Sequence, residues 1–191
     1  MKSLYRGLVF ICALGLAASG WAQAGTSLFQ ITKITKNMIT TPQYSYSGAE
    51  QYQANQRDQW LEVEVEFTSA AEVVDELTFK YSVLINGKVL TGEVTHTNVN
   101  AAKGLRSVMY VSPRVLARFN GNHPVTATSV QNVAVQIVQQ GAVKDDVSLT
   151  RAAAQWYSSL PQTPGFLLNK SETPFAPLYW DRYEQIKPVS H

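Results

Sequence analysis

Residues 60–67, WLEVEVEF, set Leu61, Val63, Val65 and Phe67 against Glu62, Glu64 and Glu66 in strict alternation. A period of two predicts a half-buried antiparallel strand with one apolar and one acidic face. The three carboxylates then form a row about 7 Å apart, which suits a solvated face or cross-strand lysines better than a metal or acid-base site. Over 77–97, Leu77, Phe79, Tyr81, Val83 and Ile85 alternate up to Asn86-Gly87, and Val89 begins the return. Asn-Gly supplies the positive φ angles of a two-residue turn, so a hairpin is expected. Further strands are expected over 29–34, 105–111, 130–138 and 143–149. Short strands separated by turns suggest an antiparallel β-sandwich.

Helical periods are brief. Ser112-Pro113 is a cap followed by proline at the first helical position, and PRVLARF places Val115, Leu116 and Phe119 on one side before Asn120-Gly121. A second helix is expected in RAAAQWYSSL, where Ala153, Trp156 and Leu160 share a face and Pro161 stops the run. Residues 40–59 are polar with tyrosines at 44, 46 and 52, and suggest a long loop. Residues 161–174, with prolines at 161, 164 and 174, suggest an extended linker. After Pro177, LYWDRYEQIK fits a third helix carrying Tyr179, Tyr183 and Ile186 on one face.

The start of the chain changes what composition means. Lys2 and Arg6 precede an apolar run from Leu8 to Ala18, and Ala22-Gln23-Ala24 has the small-x-small form, so residues 1–24 are expected to be a cleaved export signal. The run is shorter than the roughly 20 residues of a membrane span. Phe10-Ile11 before Cys12 do not fit lipid attachment, and no acidic residue precedes Glu50, unlike a pilin leader. Cleavage would remove the single cysteine, Cys12, and lower the 16 basic residues to 14, equal to the 14 acidic ones. A neutral, thiol-free chain has neither disulfides nor a cysteine nucleophile, and gives no reason to expect binding to nucleic acid or an acidic membrane. The 191 residues less 24 leave 167, enough for one domain.

Chemistry is sparse. His96, His123 and His191 share no ligand spacing, and no nucleophile elbow, phosphate loop or dinucleotide fingerprint occurs. Asp145-Asp146 lacks the spaced oxygens of a calcium loop. Asn169-Lys170-Ser171 forms a glycosylation triplet of little weight. No catalytic, cofactor or metal residue is expected, and the protein is not expected to be an enzyme.

Several long stretches carry a resemblance: WLEVEVEF, ELTFKYSVLINGKVLTGEVTH, SVMYVSPRVLARF and TPFAPLYWDRYEQIKP, together with the export signal. With them the chain resembles the immunoglobulin-like, type IV pilus-associated secreted proteins of verrucomicrobial bacteria, the Akkermansia type. That resemblance implies an immunoglobulin-like sandwich over 25–160 with two or three short helices. It also implies a place in the periplasm, outer membrane or cell surface, and carries over no catalytic residues.

The resulting expectation is a noncatalytic envelope protein, accessory to a pilus-like or secretion assembly, that contacts other envelope proteins; a homo-oligomer is left open. The tail, 161–191, is expected to dock on the domain, because large apolar groups rarely stay in water. Phe175, Tyr179, Trp180 and Tyr183 are the first candidates for partner contact, with Tyr44, Tyr46 and Tyr52 second. The alternative function is a carbohydrate- or peptide-binding module using the tyrosine-rich loop.

Overall fold

Among the described residues, seven strands and one short α-helix follow in the order β1 (Phe29–Thr40), β2 (Gln59–Ile85), β3 (Lys88–Val111), α1 (Pro113–Phe119), β4 (Val130–Gln139), β5 (Ala142–Ser148), β6 (Gln162–Pro164) and β7 (Leu168–Asn169). The computed structural model describes residues 27–188 apart from 46, 49–57, 122, 124, 151 and 154. The expected export signal, Cys12, Tyr46, Tyr52 and His191 lie outside the described residues.

Strand β2 has 27 residues. At about 3.3 Å per residue it would extend roughly 90 Å if straight, more than a domain of this size can span. It therefore folds over together with β3. The register between them slips between Phe67 and Ser69 and again between Ser69 and Val73, and on β3 Asn98 and Gly104 take positive φ. Phe67 and Phe79, on one strand, consequently face each other with ring centroids 4.7 Å apart.

The fold-over turns one hydrogen-bonded sheet into two facing layers. One layer holds β1, the first half of β2, the second half of β3, and β7; the other runs β5-β4-β2-β3-β6. The result is the expected mainly β, immunoglobulin-like sandwich. Its pairings are antiparallel except for the three-residue parallel match of β6 with β3. Inward-facing Leu61, Val63, Val65 and Phe67 meet Leu77, Phe79, Val83 and Ile85 in a single apolar core. At one side β1 and β5 are joined by the Ile31 N–H, which donates to Asp145 Oδ2 at 2.6 Å. Lys36 donates to the carbonyls of Ala127 and Val130, tying β1 to the start of β4.

The hairpin forms as expected, with Asn86 at φ 48° and Gly87 at φ 74°. Helix α1 also forms, its first turn capped by Ser112 Oγ, which accepts from the Val115 N–H. Three expectations need correction. The segment 105–111 is no separate strand but the end of β3. The helix expected over 151–160 shrinks to a 3-10 turn, Trp156–Ser159, entered through Gln155 at φ 53°. That tight turn lets Trp156 donate to Ser148 Oγ and Tyr157 to Asp146 Oδ2, so its side chains are tied to β5. The supposed linker is structural: β6 pairs with one end of β3, Leu167 enters the core, and β7 pairs with the other end.

Gly92 permits that crossing. A Cβ built there would lie 2.6 Å from Leu167 Cβ, so only a glycine lets the chain pass.

Candidate functional site

The acidic face of β2 turns out to be a seat for the tail. Trp60, Glu62, Glu64 and Glu66 point away from the core, as do Arg106, Val108 and Tyr110 on β3, and Phe175, Leu178, Arg182 and Tyr183 of the tail lie against this face. Phe175 is buried; its ring stacks on Tyr110 at 4.8 Å and 12° and meets the edge of Trp60 at 5.6 Å. Tyr110 OH donates to Glu62 Oε2 at 3.2 Å. Burial raises the Tyr110 phenol well above its ordinary pKa, with the Glu62 charge adding to it.

Glu64 corrects the expectation of a solvated row, because it is only 8% exposed. Its carboxylate receives Arg106 Nη1 at 2.7 Å, Arg182 Nη2 at 2.7 and 3.0 Å, and Tyr183 OH at 2.9 Å. Burial works against the Arg182 charge, but Tyr183 and Glu64 outweigh it and hold the guanidinium firmly protonated. Burial raises the Tyr183 phenol, and the two carboxylates raise it further. Lys170, its pKa lowered by burial, donates to the Ala176 carbonyl at 2.7 Å. Tyr44 OH donates to the Pro174 carbonyl at 2.6 Å, so this residue of the long loop braces the tail.

The expected tail helix does not form. Residues 176–182 are turns, Tyr179 has φ 51°, and the following main chain is spent on β3. The Glu184 N–H donates to Arg106 O, the Thr97 N–H to Gln185 O, and the Lys187 N–H to Thr95 O. Tyr179, Tyr183 and Ile186 therefore share no common face.

The last link of the tail reaches the core. His96 Nδ1 lies 3.0 Å from the Glu184 carbonyl, and its Nε2 lies 2.7 Å from Ser107 Oγ, which is 2.8 Å from Tyr81 OH. A carbonyl can only accept, so Nδ1 carries the proton, Ser107 donates to Nε2, and Tyr81 donates to Ser107. Burial lowers the His96 pKa to about 4, and hydrogen bonds to the Glu184 and Gln185 carbonyls oppose this only in part. A Ser–His contact suggests catalysis, yet Ser107 is 0% and His96 1% exposed, sealed from any substrate.

Between these anchors the tail projects a tip. Tyr179 is 63% and Trp180 80% exposed, whereas Phe175 and Tyr183 are consumed by the seat. The structure thus brings Phe175, Tyr183 and Tyr44 together as supports and separates Tyr179 and Trp180 as the open surface. Sequence reasoning read Glu64 as solvated and missed Arg182 and Lys170; the only signal for those two was their charge amid a tail otherwise read for its aromatic rings.

Among the described residues no helix is long and apolar enough to cross a membrane. No curated protein matches the chain. A crystal structure of a protein from Akkermansia muciniphila matches with TM-score 0.72 at 21% identity, over 85% of this chain and 94% of that one. A family model matches residues 20–190, nearly the whole sequence. With that span, the chain belongs to the family it resembles, the Akkermansia-type group of immunoglobulin-like proteins.

Proposed function

We propose that the protein is a noncatalytic component of the cell envelope, accessory to a pilus-like or secretion assembly, and that it holds its partner through Tyr179 and Trp180. The observation that carries this reading is Trp180, 80% exposed on a segment otherwise locked to the sheet by Phe175, Arg182 and residues 184–187. A large ring held in place in water loses little freedom when a partner covers it, which is how interface anchors work. Family membership supports the setting.

The test is crosslinking mass spectrometry on cells expressing the full chain and a Tyr179→Ala/Trp180→Ala variant, with thermal unfolding of both. Loss of crosslinks to envelope proteins at an unchanged Tm supports the tip as the contact. Undiminished crosslinks overturn it.

A further inference from the structure

Strand β3 turns the main chain of every second residue toward its free edge. Val89 and Thr97 donate there to Pro161 and Gln185, and Thr95 accepts from Lys187. Thr91 and Glu93 share that parity. Pairing with β6 ends at Thr91 opposite Pro164 and resumes only at Thr95, because the chain after Pro164 leaves the edge to bring Leu167 over Gly92. Among the described residues, the N–H and C=O of Glu93 have no main-chain partner, and its carboxylate makes no ion pair.

This gap opens into a cleft of about 690 Å³ whose lining includes Glu93, Lys80, Gln136, Tyr157, Asn169 and Glu172. A second opening on the other side of Glu93 is bounded by Thr95, Ile186 and Lys187. From Thr91 to Thr95 the edge spans about 13 Å, the length of a strand segment of three residues with its flanking bonds.

We propose that this cleft receives an extended peptide of a partner protein, which adds one residue of strand at Glu93. A single paired residue needs one N–H and one C=O from the same residue, which a peptide supplies. Its side chain lies on the face of Glu93, on the edge side, with Glu172 on the same cleft wall; Lys80 flanks Glu93 from the opposite side, on β2, so the group next to the incoming residue is a carboxylate and Lys or Arg is favoured over an acid. The residues before and after it point toward Leu167 and must be small. The recognised pattern is small-basic-small. The site is distinct from the Tyr179–Trp180 tip and stands or falls without it.

The test is amide NMR of the full chain titrated with acetyl-Ser-Arg-Ser-amide and acetyl-Ser-Glu-Ser-amide. The Glu93 amide should shift saturably with the first, which should bind about tenfold more tightly than the second. Glu93→Pro removes the N–H that faces the edge and should abolish the response at an unchanged Tm, which checks that the fixed φ leaves the strand intact. Glu93→Arg, which needs no change of backbone, should reverse the charge preference. Absence of a saturable response at residues 91–95, an unchanged preference in Glu93→Arg, or saturation by diacetylchitobiose in place of the peptide would overturn the proposal.

Discussion

His96 donates through Nδ1 to the main-chain carbonyl of Glu184 across 88 residues of sequence, at 3.0 Å. The core and the tail are thereby parts of one hydrogen-bonded chain that runs Tyr81, Ser107, His96, Glu184. Because the carbonyl fixes the tautomer, a second proton on His96 must enter at Nε2, where Ser107 donates.

Stability should therefore fall in acid. His96 titrates near 6.5 when unfolded and about 4 when folded. Between those values the unfolded chain takes up a proton that the folded one refuses, so stability is full above pH 6.5 and declines as pH drops toward 4. The full loss is about 3 kcal/mol. Glu184, whose carboxyl burial raises, works in the opposite sense. Urea unfolding from pH 4 to 7 should show this slope, and His96→Gln should flatten it; an unchanged slope would contradict the buried neutral imidazole.

The tail divides into support and tip, and two substitutions separate them. Phe175→Ala removes a buried ring stacked on Tyr110 and should cost about 3 kcal/mol. Trp180→Ala removes more atoms but should change stability by less than about 0.5 kcal/mol. Equal losses in denaturant titration would mean that the tip is packed in solution.

Glu64→Gln removes the carboxylate that Arg182 pairs with and leaves Arg106 only its longer contact to Glu66, at 3.4 Å. Arg182 keeps nearly half its side-chain surface in water, so screening limits the effect to about 1–2 kcal/mol. The more specific sign is local: protease cleavage within 176–182 should speed up more than global unfolding does.

Gly92→Ala places a methyl group against Leu167 Cβ and should destabilise by about 2 kcal/mol. Leu167→Gly alone is also costly, but it removes the Cβ that the methyl group would meet, so in the double variant the losses should sum to less than the separate values. Strict additivity would show that the two do not meet.

Legibility in the sequence followed distance along the chain. Asn86-Gly87 named its own turn, and Ser112-Pro113 named its helix, because every atom involved lies within a few residues. The alternation of residues 60–67 gave the two faces of β2, yet its cover comes from Arg182 and Tyr183, more than 110 residues later, and no local pattern announces it. His96 and Ser107 have opposite parity on β3, so a straight strand would put them on opposite faces; the slipped register at the fold-over brings both inward. Strands β6 and β7, of three and two residues, are too short to display a period. In the tail, helical spacing was present in Tyr179, Tyr183 and Ile186, but the free edge of β3 competed for the same main-chain groups and won.

The piecemeal closure of the β3 edge sets a timetable. The Thr95 carbonyl and the Thr97 N–H wait for Lys187 and Gln185, about 90 residues further along the chain, and stay bare until the tail docks. An uncovered edge of this length is a template for any neighbouring chain. The nascent protein therefore passes through an interval of vulnerability to misassembly that ends only when the tail arrives.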